Sequence, residues 1–135
     1  MQRKFETGVS ISRRIVVDDT RSIRFLGEGV RVYATPELVR DFERTCSELL
    51  LEFCEPGEHS VGTGISVTHS GSALMGQPVD ITATVTRIDG RKVTFEVLAR
   101  DADGEISRGE HSRFVVNIDK LEERLAAKAA RLGAA

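Results

Sequence analysis

Apolar residues recur at intervals of three and four between residues 35 and 54, and this spacing predicts one amphipathic helix. The apolar positions are Val39, Phe42, Cys46, Leu49, Leu50 and Phe53. Thr35 and Pro36 suit the cap and the first position of such a helix, and the breaker at residues 55–57 (EPG) ends it. The opposite side, expected to face solvent, carries Glu37, Asp41, Arg44, Glu48 and Glu52.

After this helix the pattern changes to an alternation of apolar and polar residues, which predicts β-strands. The predicted strands cover residues 62–70, 78–88, 92–100 and 105–117, with a tight turn at Asp89-Gly90. Before the helix, residues 9–17 are predicted as a strand and residues 30–33 as a short one. The alanine-rich and leucine-rich tail over residues 119–132 is predicted as a terminal helix.

This order of elements predicts an α+β domain in which one long helix packs on an antiparallel sheet. The apolar face of the helix needs a sheet to cover it, and the consecutive strands are expected to form that sheet as a meander. The arrangement matches the hotdog fold. We therefore predict a single hotdog domain over residues 1–135, with residues 119–132 as its C-terminal helix.

Glu43 is the exception to the apolar character of its side of the helix, where it adjoins Val39 and Cys46. A carboxylate that faces a core or an interface is costly unless it is paired, hydrogen-bonded or protonated. Such a residue is a candidate acid, base or nucleophile. An ordinary carboxylate at the edge of the face, paired with a neighbouring arginine, is the alternative at this stage.

Composition and charge narrow the class of protein. The net charge is −2, with 40% hydrophobic and 30% charged residues, so nothing draws the chain to nucleic acid or to an anionic membrane. The sequence has neither an apolar run that spans a bilayer nor the apolar stretch of a signal peptide, and a cytoplasmic location is expected. Cys46 and Cys54 lie roughly 12 Å apart on one helix, too far for a disulfide. No metal-ligand spacing is found, and no metal site is predicted.

Two segments resemble the fluoroacetyl-CoA thioesterase family, a group of hotdog-fold acyl-CoA hydrolases. Residues 55–69 (EPGEHSVGTGISVTH) resemble one stretch of that family, and residues 109–113 (GEHSR) resemble its late strand. The family also has a catalytic Thr, Glu and His at the spacings found here, since Thr35 precedes Glu43 by eight residues and Glu43 precedes His69 by twenty-six. The resemblance extends from about residue 22 to about residue 121.

The resemblance implies an acyl-CoA thioesterase that hydrolyses a short or small acyl-CoA. The catalytic set that it implies is Thr35, Glu43 and His69, and it implicates Arg113 in handling the substrate. Gly62, as a glycine within a strand, and Tyr33 are the other candidate substrate-binding residues. One departure concerns selectivity for the fluoroacetyl group, because the fluoroacetyl-CoA enzyme has a longer segment with phenylalanines before the helix. Here residues 27–34 are short and contain a single aromatic residue, Tyr33. No cofactor is implied, since coenzyme A belongs to the substrate.

The sequence leaves the chemical route open. Glu43 can attack the thioester or deprotonate water, Thr35 can act as nucleophile or as donor, and His69 can act as base. Each residue also has a structural alternative, such as a plain helix cap for Thr35, a satisfied histidine for His69, close packing for Gly62 and an exposed strand position for Arg113. Two other functions remain open, a non-catalytic acyl-CoA-binding module and an enoyl-CoA hydratase.

Thr35 and Glu43 are roughly 12 Å apart along one helix, so they cannot bond each other directly. Either the substrate spans the gap or a second subunit supplies one of the three residues. The resemblance implies a homodimer, possibly a tetramer, with sites at the interface.

Overall fold

Both helices and all the expected strands except the short one at residues 30–33 form in the computed structural model, which describes residues 4–134. The elements are β1 (Ser10–Val16), α1 (Thr35–Leu51), β2 (Glu58–His69), β3 (Pro78–Asp89), β4 (Lys92–Asp101), β5 (Gly104–Asn117) and α2 (Ile118–Leu132). The predicted α+β class, with one long helix against an antiparallel sheet, is confirmed. Residues 1–3 and 135 of the predicted domain lie outside the described part of the chain.

All five strands belong to one antiparallel sheet in the order β1-β3-β4-β5-β2. The predicted meander is therefore correct for β3, β4 and β5 and wrong for β2, which pairs with β5. Tight turns join the three central strands, whereas residues 70–77 allow β2 to lie at the far edge. Alternation along a strand shows which residues face inward and does not show which strand is the neighbour.

The core lies between α1 and one face of the sheet. Its fully buried side chains include Leu38, Phe42, Cys46 and Leu49 from the helix and Ile81, Val93, Phe95 and Val97 from the strands. Burying each large apolar side chain contributes roughly 1.5–3 kcal/mol. Both cysteines are free, and burial raises the pKa of the Cys46 thiol to about 12. That thiol is therefore protonated and packs as an apolar group.

Three details of α1 differ from the prediction. Asp41, expected on the solvent side, is only 5% exposed, because Arg21 and Tyr33 fold over this part of the helix and bond its carboxylate. Thr35, expected as the cap, is the first helical residue, and Ala34 occupies the cap position without a side-chain bond. The helix also ends at Leu51, earlier than the predicted residue 54.

The segment before α1 is a loop and not the predicted short strand. It contains one turn of 3₁₀ helix over Glu28–Val30 and two isolated bridges, Ser22 with Tyr33 and Val32 with Leu74. These bridges bring Tyr33 beneath the loop, where it is 1% exposed. Neither helix within residues 4–134 is long and apolar enough to cross a membrane.

Candidate active site

Thr35 and His69 meet where α1 begins and β2 ends. The Thr35 Oγ1 atom lies 2.7 Å from Nδ1 of His69, within hydrogen-bonding distance. Because no side-chain bond caps the helix, the Thr35 hydroxyl is not engaged in a cap. A hydroxyl and an imidazole at this separation have the geometry of a nucleophile and its base.

The surroundings of His69 favour its neutral form. Burial lowers the pKa of this imidazole, and the backbone of Gly71 acts in the opposite direction to a smaller extent. The ring of Tyr33 lies edge-on to it, with the two ring centres 6.5 Å apart and the planes at 79°. A neutral His69 whose Nδ1 atom is unprotonated can take a proton from the Thr35 hydroxyl.

Glu43 lies two turns further along α1, beside the bulge in β2. Its Oε2 atom is 3.9 Å from Nη1 of Arg113, and its side chain is 45% exposed. The bulge lies between Gly62 and Gly64, where the register of β2 against β5 shifts. A Cβ atom at Gly62 would be 2.9 Å from Oε2 of Glu43, so the missing side chain leaves room for this carboxylate. The close approach expected at Gly62 is thus made by Glu43.

Arg113 is held in place from three directions. Its Nε atom donates to the Ser60 hydroxyl at 2.7 Å, and its Nη2 atom donates to the Ser60 carbonyl at 2.9 Å. Its Nη1 atom lies 3.2 Å from Nε2 of His111, and the Nδ1 atom of His111 is 2.8 Å from the Gly64 carbonyl. These contacts suit a neutral His111 that donates from Nδ1 and accepts at Nε2.

Burial has the largest effect on the pKa values of His111 and Arg113. It lowers the pKa of His111 and also that of Arg113, while Glu43 acts on Arg113 in the opposite direction. Arg113 is 6% exposed, so the exposed strand position considered for it from the sequence is wrong. A buried guanidinium with a fixed orientation is a suitable partner for a carboxylate or for an anionic substrate group.

Within one chain the predicted residues therefore form two separate clusters. Thr35 pairs with His69, while Glu43 lies with Gly62 and Arg113 roughly 12 Å further along the helix. Tyr33 is beneath His69 and not on an open wall. An open cleft of about 510 Å³ runs along the outer side of α1, and its lining includes Pro36, Val39, Arg40, Glu43, Arg44 and Arg113.

The sequence reasoning missed three polar residues that support these clusters. Asp41 was expected in solvent, and neither His111 nor Ser60 was given a functional role. The signal for His111 was its position two residues before Arg113, which places both on the same face of a strand. For Asp41 no local signal exists, because its partners come from the loop before the helix.

Comparisons with known proteins show the family to which this chain belongs. The model of the family described as fluoroacetyl-CoA-specific thioesterase matches residues 17–119. A fluoroacetyl-CoA thioesterase from Streptantibioticus cattleyicolor is 30% identical over 135 residues, which cover 95% of this chain and 97% of that protein. A crystal structure of a mutant of the fluoroacetyl-CoA-specific thioesterase with fluoroacetate and CoA has a TM-score of 0.80 and 31% identity, covering 87% of this chain and 99% of that one.

A crystal structure of a hot-dog-like protein from Thermanaerovibrio acidaminovorans is similar as well. Its TM-score is 0.85 at 25% identity, and the match covers 92% of this chain and 93% of that one. These similarities confirm the predicted hotdog fold.

Proposed function

The chain belongs to the fluoroacetyl-CoA-specific thioesterase family and is a thioester hydrolase, and from this premise we propose that it hydrolyses a small acyl-CoA with Thr35, Glu43 and His69. The products are the free acid and coenzyme A, which enters as part of the substrate. The observation that carries the proposal is the 2.7 Å contact between the Thr35 hydroxyl and His69.

In the proposed reaction the Thr35 oxygen attacks the thioester carbon while its proton passes to Nδ1 of His69. The carbon–sulfur bond then breaks, and the proton returns to the departing sulfur to give the coenzyme A thiol. The acyl group remains on Thr35 as an ester. The reacting carbonyl lies near the N-terminus of α1, whose dipole favours the developing negative charge.

Glu43 serves the second half of the proposed reaction by removing a proton from the water that hydrolyses the Thr35 ester. Arg113, fixed by Ser60 and His111, lies 3.9 Å from the Glu43 carboxylate and attracts it by its positive charge. Since Thr35 and Glu43 of one chain are too far apart to act on one carbonyl, we assign the water-activating role at each Thr35 to Glu43 of the partner subunit.

A second copy of the chain is the proposed source of that carboxylate. β2 is a strand of 12 residues at the edge of the sheet, most of which is exposed, including Val61 and Ile65 at 38% each. A long exposed edge strand offers a row of backbone donors and acceptors to a partner strand. The start of β2 lies near Glu43 and its end near Thr35, so pairing of two β2 edges brings the two clusters of opposite subunits toward each other. A homodimer is therefore proposed, and a cytoplasmic location stays a prediction.

A thiol-release assay over a panel of acyl-CoA thioesters of increasing chain length tests the proposal. We expect the wild-type protein to release coenzyme A from short acyl groups, and Thr35→Ala, His69→Gln and Glu43→Gln to be impaired by roughly a hundredfold or more. Equal rates in all four proteins would refute the site. Stabilisation by acyl-CoA without thiol release would favour the binding module, and loss of enoyl absorbance would favour the hydratase.

A further inference from the structure

Asp41, Tyr33 and Arg21 form a buried polar cluster behind the proposed site. Asp41 is 5% exposed and accepts from Nε of Arg21 at 2.8 Å and from Nη2 of Arg21 at 3.2 Å. The Tyr33 hydroxyl donates to the same carboxylate. The proposed reaction uses none of these three side chains, although a buried ionised group with several partners is costly to maintain.

The geometry connects this cluster to His69. Tyr33 is 1% exposed, and its ring stands at 79° to the imidazole of His69 with the ring centres 6.5 Å apart. His69 also meets Thr35, at 2.7 Å from Nδ1 to the hydroxyl oxygen. The imidazole therefore contacts both the Tyr33 ring and the Thr35 hydroxyl, and movement of that ring changes the space in which the imidazole turns.

We propose that Tyr33, held by the Asp41 carboxylate, is a positioning residue that fixes the imidazole of His69 against Thr35. This inference rests on the proposed function, in which His69 is the base. The hydrogen bond from the Tyr33 hydroxyl to Asp41 holds the Tyr33 ring in one orientation. The two hydrogen bonds from Arg21 hold the Asp41 carboxylate in one orientation. The base of a nucleophile is commonly oriented by a third group, and here that group is a buried tyrosine. The substrate-binding role predicted for Tyr33 is replaced in this proposal by an indirect one.

The Tyr33→Phe variant tests the proposal because it keeps the ring and removes the tie to Asp41. We expect kcat to fall by roughly tenfold to a hundredfold while KM changes little, since misplacing a catalytic group by about 1 Å can cost that much. Asp41→Asn keeps an oxygen that accepts from the Tyr33 hydroxyl, so its kcat is expected to fall less than that of Tyr33→Phe.

Nuclear magnetic resonance of the His69 imidazole gives a readout that does not depend on turnover. In Tyr33→Phe we expect the imidazole nitrogen shifts and the apparent pKa of His69 to move, because the Thr35 bond is populated less. The control is Asp80→Asn, which disrupts an Arg–Asp pair of similar geometry, with Arg14 at 2.8 and 3.1 Å, on the exposed face of β1 and β3. Neither the His69 signals nor kcat should change in this control.

The outcomes separate the two proposals. His69 signals identical to wild type in a folded Tyr33→Phe protein would overturn the positioning role, whatever the enzyme activity. Moved His69 signals without any thiol release in the wild-type protein would support the positioning contact and refute the proposed function. If Tyr33→Phe does not fold, Asp41→Leu is measured instead, because it removes the acceptor of the Tyr33 hydroxyl. Unchanged His69 signals in a folded Asp41→Leu protein would overturn the positioning role.

Discussion

The hydroxyl oxygen of Thr35 lies 2.7 Å from Nδ1 of His69, although 34 residues separate them in the chain. The contact exists because α1 begins at the point where β2 ends, so the first residue of the helix meets the last residue of the strand. Since Ala34 takes the cap position without a side-chain bond, the Thr35 hydroxyl is available to the imidazole.

Replacement of Glu43 by Gln keeps the shape of the side chain and removes its basicity. We expect steady-state thiol release to fall by roughly 10²- to 10⁴-fold, the usual range for loss of a general base. Glu52→Gln, a change in an exposed residue just after the same helix, is the matched control and should leave the rate within about twofold of wild type. Normal turnover by Glu43→Gln would remove Glu43 from the reaction.

A side chain at Gly62 is expected to push the Glu43 carboxylate aside, because a Cβ atom there would lie 2.9 Å from Oε2 of Glu43 and 3.3 Å from Cε1 of His111. We expect Gly62→Ala to displace the carboxylate and lower kcat by about tenfold or more. Gly64→Ala, two residues along, meets only the rotatable Ser112 hydroxyl at 3.2 Å and serves as the control. Measured kcat values that fall equally in both variants would point to a general disturbance of β2.

The pH dependence of kcat/KM should report the protonation of His69. Burial lowers its pKa from the usual 6.5, so the neutral base persists to a lower pH than in a free histidine. We expect kcat/KM to stay level down to about pH 6.5 and to decline below it, with an apparent pKa under that value. An acid limb centred above 6.5 would contradict the assignment.

The lowered pKa values of the buried histidines also predict how the stability of the fold depends on pH. For His69 and His111 the pKa in the folded state lies below the pKa in the unfolded state. At a pH between these two pKa values, the unfolded chain therefore binds more protons than the folded chain. Their contribution to the free energy of unfolding is complete above about pH 6.5 and is lost as pH falls through the folded values. Urea unfolding at several pH values, in wild type and His111→Gln, measures this dependence, which should be weaker in the variant.

The sequence predicts structural features that are set within one helix or strand better than features that depend on contacts between distant segments. The three-and-four spacing predicted α1, and strict alternation predicted β3 and β4 almost to their ends, because each pattern is imposed by the element itself. The neighbour of β2 and the burial of Asp41 depend on contacts between distant segments, which no local pattern records. The family resemblance grouped Thr35 and His69 in one catalytic set but did not show that they contact each other within one chain, and the support of Arg113 by Ser60 required the sheet register.

Mixing two inactive variants tests whether the site is shared between subunits. In the proposed homodimer, a chain with Thr35→Ala and a chain with Glu43→Gln together form one intact site per heterodimer. After co-refolding in equal amounts, we expect roughly a quarter of the wild-type rate from a symmetric dimer with two sites. Each variant refolded alone is the control and should remain inactive. No recovery, in a mixture shown to contain heterodimers, would place the whole site within one chain.

The central claim, that the Thr35 oxygen attacks the thioester, is tested most directly by trapping the acyl group on the enzyme. Glu43→Gln should slow hydrolysis of the ester more than its formation, so it is mixed with a short acyl-CoA, quenched in acid and analysed by mass spectrometry of the intact protein and its peptides. We expect one acyl group per chain, located on Thr35, and none in the Thr35→Ala, Glu43→Gln double variant. A stoichiometric release of coenzyme A with no acylated protein, or with the acyl group on another residue, would contradict the account.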